Sequence, residues 1–299
     1  MKVLITGKGG QLAWELEQTK PKGVELLSLG IETLDITNQT AVVSAVNEFK
    51  PDVVINAAAY TAVDKAEADT NTAYAVNEAG ARYLAEACKQ ASAFLLHVST
   101  DFVFDGSSCV PYQTDAAPNP INVYGASKLA GDIAVQQILP ETSVIVRTAW
   151  VYSANGNNFV KTMLRLMAEK PELGVIYDQL GSPTWARGLA QWLWNIARKT
   201  ATSSEFSDLE SHIFHWTDAG VASWYDFAIA IQELGIEKGM LKQSIPVRPI
   251  PTSAYPTPAK RPAFSVIDKS SAEKAADLHT VHWRKQLSAM MDELKDNLA

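Results

Sequence analysis

Cysteine is scarce. The 299 residues hold only Cys88 and Cys109, and the two are not at metal-ligand spacing. They allow one disulfide at most, which excludes a disulfide scaffold and a cysteine-ligated zinc module and makes the reducing cytoplasm the expected compartment. Long apolar runs are missing as well. No stretch approaches the roughly 20 residues that span a bilayer, and the apolar part of Met1-Lys2-Val3-Leu4-Ile5-Thr6-Gly7 is too short for a secretory leader. There is no basic run, and acidic residues outnumber basic ones by 33 to 26, a formal net charge of −7. Neither nucleic acid nor a membrane is therefore an expected partner. Repeats and low-complexity tracts are also absent. The remaining composition, 47% apolar and 20% charged, is that of a globular chain long enough to bury a sizeable core.

The first half alternates between two patterns. Short apolar runs at Lys2 to Ile5, Val24 to Leu29, Asp52 to Asn56, Phe94 to Val98 and Ser143 to Val146 are separated by helical spacings. The helical stretches are Gln11 to Glu17, Thr40 to Phe49, Ala73 to Gln90 and Tyr124 to Gln137. Nearly continuous β-branched runs imply strands buried on both faces, hence an α/β fold with a parallel sheet covered by helices. The second half is less regular, with helices expected at Asn158 to Glu169, Thr184 to Arg198, Trp224 to Leu234 and Trp283 to Leu298. Ala201 to Ser211 reads as a polar loop. The six prolines between Pro246 and Pro262 exclude a helix interior and leave a linker or an extended lining segment. The expected organisation is a dinucleotide-binding Rossmann unit over 1–150, with later segments returning to it, and a smaller mixed substrate-binding region over 151–299.

Two features carry chemistry. The first is Gly7-Lys8-Gly9-Gly10-Gln11-Leu12-Ala13, between the first strand and the first helix. Glycines permit the sharp turn and the close approach of a pyrophosphate, and the helix N-terminus offers N–H groups and a positive dipole end. The spacing is Gly-x-x-Gly-x-x-Ala, with Ala13 where a third glycine is common. The second run ends at Leu29-Gly30 rather than at an acid, with Glu32 and Asp35 following. An acid at that point would repel a 2′-phosphate, whereas Lys8 would pair with one, so NADPH is favoured over NADH.

The second feature is Ser99-Thr100-Asp101 after the fourth run, followed by Tyr124-Gly125-Ala126-Ser127-Lys128. Tyr124 and Lys128 stand at i,i+4 and share a helix face. Hydride transfer to a ketone builds charge on oxygen, which a proton must neutralise. A free phenol titrates near pH ~10, and a neighbouring ammonium is expected to bring it toward the working range. Thr100 supplies a hydroxyl to the same oxygen.

With these residues in place, the chain resembles the extended short-chain dehydrogenase/reductases, and within them the dTDP-4-dehydrorhamnose reductase family. The resemblance runs through Gly7 to Gln11, Asn56 to Glu67, Ser99 to Gly106, Asn122 to Gly125, Arg147-Thr148-Ala149-Trp150-Val151-Tyr152, Asn157 to Phe159, Asp178-Gln179-Leu180-Gly181-Ser182-Pro183-Thr184 and Pro251 to Pro256. It implies reduction of the 4-keto group of dTDP-6-deoxy-L-lyxo-4-hexulose to dTDP-L-rhamnose, for cell-surface polysaccharide. Tyr124 would be the proton donor, Lys128 would hold the nicotinamide ribose, and Thr100 would tune the site. Gly7, Gly10, Gln11 and Leu12 would meet the pyrophosphate. Asp35, Ile36, Ala57, Ala58, Ala59, Tyr60 and Val98 would line the rest of the cofactor. Trp150, Asp101, Val63 and Thr100 would contact the substrate. Phe102 departs from the tyrosine usual in the family. Some relatives form Mg²⁺-bridged dimers through glutamates. Glu15 matches one of those positions, but Arg187 replaces another, and its charge argues against the metal.

A substrate pyrophosphate needs local cations in an acidic protein. Among Lys161, Arg165, Arg187, Lys260 and Arg261, the last is preferred because it sits beside Pro262 in the proline-rich segment. His212, His215, His279 and His282 lack a metal-binding pattern and read as structural, and Trp192 and Trp194 read as core. The partners expected are the nucleotide sugar and at most a second copy of the chain, as monomer or homodimer. Two other readings use the same parts. One is a non-catalytic dinucleotide-binding regulatory subunit of the methionine adenosyltransferase type, against which the full Thr100, Tyr124, Lys128 set argues. The other is a different nucleotide-deoxysugar 4-keto reductase or epimerase.

Overall fold

The structure is a computed structural model and describes residues 1–200 and 212–297. The strands β1 (Lys2–Thr6), β2 (Glu25–Leu29), β3 (Val53–Asn56), β4 (Phe94–Thr100) and β5 (Ser143–Thr148) form one sheet with a sixth strand, Ile213–His215. All of their pairings are parallel. In spatial order the strands run β2, β1, β3, β4, β5 and then Ile213–His215. The chain steps outward from β1 in both directions, so a crevice opens between β1 and β3 at the strands' C-terminal ends, where open α/β sheets bind ligands.

Both faces are covered, as the β-branched runs require. On one face α1 (Gln11–Gln18) and α8 (Ala186–Thr200) bury Val3, Ile5, Leu16, Trp192 and Phe214. On the other, α2 (Gln39–Phe49), α5 (Ala81–Ala91) and α6 (Val123–Ile138) bury Leu4, Val54, Leu84, Leu95 and Val135. The expected helix at Ala73 to Gln90 is not uniform. It begins with α4 (Thr70–Tyr74), widens into a π turn over Ala75–Gly80, and then continues as α5. Before α4 stands the short α3 (Val63–Ala66).

The remaining residues build a second core around Phe227, Ile231, Leu287 and Met291. Its helices are α7 (Phe159–Glu169), Trp224–Glu237 and Trp283–Asp296. The proline-rich segment is not a linker: Val247–Ile250 is a strand pairing with Leu173–Ile176. Pro249 fits there because a two-stranded sheet is all edge. The stretch Thr184–Trp185 is a strand, and α8 starts only at Ala186. The sixth sheet strand was not apparent in the sequence, and the polar loop expected at 201–211 lies outside the described residues. Trp192 and Trp194 are buried core, as expected. Among the described residues no helix is long and apolar enough to cross a membrane.

Candidate active site

A cavity of about 890 Å³ opens at the C-terminal crevice. The expected catalytic residues, the expected cofactor-binding residues, and Thr100, Asp101, Val63, Trp150 and Arg261 on the substrate side all line it.

The glycine turn forms one end. Gly7 and Gly9 have φ of 81° and 90°, in the left-handed region. A Cβ on Gly7 would lie 2.8 Å from Ala57 O and Ala58 N, so the turn is pressed against the end of β3 and no side chain fits there. Gly10 is the N-cap of α1, and no side chain caps that helix. Its first N–H groups therefore suit an anion. Gln11 Nε2 donates to Val151 O. Leu12 is buried beneath the turn.

Asp35, Ile36, Ala57, Ala58, Ala59, Tyr60 and Val63 form one wall. Asp35 Oδ1 accepts from the amide and hydroxyl of Thr37, which fixes the carboxylate at the rim. The π turn serves this wall: Asn77 Oδ1 accepts from Tyr60 N at 2.9 Å, and its Nδ2 donates to Tyr60 O and Ser127 Oγ. Asn77 thus ties the wall to α6.

Thr100, Tyr124 and Lys128 meet at the centre. Asn122 caps α6, its Oδ1 accepting from Gly125 N at 2.7 Å, and this places Tyr124 on the first turn. Phe102 packs edge-on to the Tyr124 ring, with centroids 5.6 Å apart. A Cβ on Gly125 would lie 2.1 Å from Phe102 O, so only glycine lets α6 approach β4's end this closely. Lys128 is 1% exposed and its Nζ donates to Val98 O at 2.7 Å. The expected electrostatics are corrected here. Burial pushes the Tyr124 phenol up to about 12, a hydrogen bond with Thr100 opposes this, and the charges of Asp101 and Asp132 add to the rise. Burial also pulls the Lys128 amine down to about 8 against the pull of Asp132. Desolvation is the leading cause for both groups, and it opposes the lowering of the phenol that spacing alone suggested.

Asp101, Trp150 and Arg261 form the remaining side. Asp101 is 2% exposed and accepts from Thr100 Oγ1 at 3.0 Å, and burial pushes it up to about 6. Arg261 lines the cavity but is not a free cation. Its guanidinium makes a two-pronged pair with Asp64, at 3.0 and 2.7 Å, and Nη1 also donates to Thr257 Oγ1 and Ala259 O. Trp150 holds φ at 50°, rare for a residue with a side chain, and its ring stacks on Trp224 at 3.5 Å between centroids. Trp224 was missed by sequence reasoning, as were Ile31, Leu34, Thr72 and Val76 on the dinucleotide side. Apolar residues at helix starts and loops carry no signal that separates lining from core. Lys161, Arg165 and Lys260 do not line the cavity. Arg187 lies behind it, joining Glu15 of α1 and Glu293.

Comparison with known proteins agrees with this geometry. A family model described as the RmlD substrate binding domain matches residues 1–296. The dTDP-4-dehydrorhamnose reductase of Aggregatibacter actinomycetemcomitans is 42% identical over 96% of this chain and 97% of its own. The crystal structure of a dTDP-4-dehydrorhamnose reductase from Clostridium acetobutylicum superposes with a TM-score of 0.90 at 40% identity, covering 99% of this chain and 100% of the other. That of the Bacillus anthracis enzyme in complex with NADP gives 0.89 at 34%, covering 98% and 99%. With matches along nearly its whole length and a shared fold and cleft, the chain belongs to the dTDP-4-dehydrorhamnose reductase family.

Proposed function

We propose that the chain reduces the 4-keto group of dTDP-6-deoxy-L-lyxo-4-hexulose to give dTDP-L-rhamnose, with NADPH as the preferred reductant. The observation that carries this is the meeting of Thr100, Tyr124 and Lys128 midway along one cavity, between the glycine turn and the Trp150 and Arg261 side. Family membership supplies the substrate class, and the relative from Bacillus anthracis solved with NADP supports the cofactor. The cleft suits a dinucleotide: a glycine turn that excludes side chains, an uncapped helix start and an apolar wall. Gly30 at the end of β2 and Lys8 beside it favour the 2′-phosphate.

When bound, the reduced nicotinamide supplies the hydride. The chain's own part is the proton. Tyr124 is a phenol held protonated by its dry surroundings, and it delivers H⁺ from Oη to the carbonyl oxygen as that oxygen gains charge. Thr100 hydrogen-bonds the phenol and holds it in place. Lys128, one turn on, faces the cofactor ribose and stabilises the phenolate that the transfer leaves behind. Arg261 would meet the substrate diphosphate only with the guanidinium hydrogens that its pair with Asp64 leaves over, as a planar donor suited to phosphate oxygens. Replacing Tyr124 by phenylalanine is expected to cut kcat by roughly 10²–10⁴-fold while NADPH still binds. NADPH oxidation with the dTDP-4-keto sugar made in situ, with NMR of the product, reads both outcomes. Full activity of Tyr124→Phe would remove the assignment.

A further inference from the structure

The cation on the substrate side of the cavity is held in place by the protein itself. Arg261 lines the cavity, whereas its partner Asp64, on α3, does not. Asp64 Oδ1 accepts from Arg261 Nη1 at 3.0 Å, and Oδ2 accepts from Nη2 at 2.7 Å. Nη1 also donates to Thr257 Oγ1 at 2.7 Å and to Ala259 O at 3.1 Å. The backbone around the arginine is fastened as well. Ala259 N donates to Asp64 Oδ1 at 3.2 Å, and Asn122 Nδ2 donates to Lys260 O at 2.8 Å. Asn122 is the N-cap of α6, and α3 begins at Val63 of the dinucleotide wall. Residues 257–261 are thus tied to that wall on one side and to the helix that carries Tyr124 on the other.

A guanidinium has five hydrogens and two forked edges. The end edge uses one hydrogen from each Nη. The side edge uses Nε–H and the other hydrogen of Nη2. Asp64 occupies the whole end edge, and the second Nη1 hydrogen goes to Thr257 and Ala259. The side edge is left entire: among the described residues no acceptor takes either of its hydrogens. Two parallel N–H groups of this kind match two oxygens of a phosphate. A lysine could not serve both partners so, because an ammonium is a point charge without a second edge.

Stability does not account for the pair. Asp64 is 41% exposed and Arg261 24%, and ion pairs this wet contribute little to folding. The hydrogen bonds from Arg261 hold the Asp64 carboxyl below its ordinary value, so it is ionised at neutral pH.

We propose that Asp64 is a positioning residue for the substrate: it clamps the end edge of Arg261, so that the side edge is preset to take two oxygens of the nucleotide sugar's diphosphate. The proposal rests on the reading that Arg261 meets that diphosphate. An arginine held in this way has little freedom left to lose on binding, a loss that otherwise weakens affinity by about three- to tenfold. The clamp also offsets the guanidinium charge, so the site selects two oxygens in one plane rather than negative charge at large.

The test uses the full chain with Asp64→Asn, which keeps the shape but can accept only one of the two prongs. Calorimetric titration with dTDP is run at about 0.5 M salt, where the removed charge is screened. The dTDP dissociation constant should rise about three- to tenfold, and the substrate KM with it. The NADPH dissociation constant and kcat should change less than about twofold, and the melting temperature by no more than about 2 °C. In an Arg261→Met background, itself weakened for dTDP, adding Asp64→Asn should change nothing further, because the clamp has no arm to hold. Unchanged or tighter dTDP binding by Asp64→Asn overturns the proposal. So does a loss that persists in the Arg261→Met background, falls equally on NADPH, or comes with a large drop in melting temperature, since each makes Asp64 a structural tie for residues 257–261. An Arg261→Met chain that binds dTDP as tightly as the native one brings down the underlying reading, whereas a weakened Arg261→Met beside an unmoved Asp64→Asn brings down Asp64 alone.

Discussion

Replacing Arg187 by methionine strips a buried carboxylate of its cation while retaining most of the packing stem. Glu15 is fully buried on α1, accepting from Arg187 Nε, Trp185 Nε1 and Ser153 Oγ, each at 2.9 Å. Arg187 also donates to Glu293 at 2.7 Å and lies over the Trp185 ring at 4.4 Å. Breaking a buried pair from one side costs about 3–5 kcal/mol. Here two neutral donors stay on Glu15, and Arg187 keeps 26% of its side chain in solvent, so the cost falls at or just below the low end of that range, about 2–3 kcal/mol. That is roughly 5–10 °C of melting temperature for a chain of this size. The sign with pH follows from Glu15. Burial already holds its pKa above the ordinary value, with Arg187 opposing, and the variant raises it further. A carboxyl whose folded pKa is raised contributes most when protonated, so its stability is present below the unfolded pKa and is lost as pH rises through the folded one. The deficit of Arg187→Met against the native chain should be full near pH 8 and shrink toward pH 5, and Glu15→Gln in the same background should remove most of the pH dependence. Calorimetry at several pH values reads it. A deficit that is flat with pH, or below about 1 °C, would refute the view of Glu15 as a buried charge held by Arg187.

Two glycines make sharper tests of the cleft. Gly7→Ala forces a Cβ to 2.8 Å from the backbone of Ala57 and Ala58 at a φ of 81°, and should weaken NADPH binding at least about tenfold in a fluorescence titration. Gly181→Ala sets a Cβ 2.7 Å from the Trp150 ring, which is also stacked on Trp224. The substrate KM should then rise several-fold with the NADPH dissociation constant unchanged; equal changes in both would show that Trp150 does not face the substrate alone.

How much of this was legible depended on whether residue type alone carried the signal. Glycines that admit no Cβ, β-branched runs buried on both faces and a tyrosine–lysine pair one turn apart are local features, and each led to the same cavity. Ile213–His215 is too short, and too isolated from the βα alternation, to declare itself a sheet strand. Thr184 and Trp185 fit a helical period, but a tertiary pairing with Val151 and Tyr152 claims them as strand. The tyrosine's acidity failed for the same reason. Spacing reveals that an amine is near, whereas burial, which decides the direction, depends on everything packed around it. Arg261 was found, but its partner Asp64 lies 197 residues away in the chain.

The path of the chain between its two cores bears on how such an enzyme can be re-engineered. The sheet's outer edge at β5 is covered by Ile213–His215, and its α1 face is sealed by α8 and by Ala272 and Ala276. Between these returns the chain leaves to build the second core. A chimera spliced at a single junction after residue 150 would therefore inherit mismatched halves of both cores. Exchange of substrate preference is better sought by grafting the short cleft-facing stretches onto an intact frame than by trading lobes.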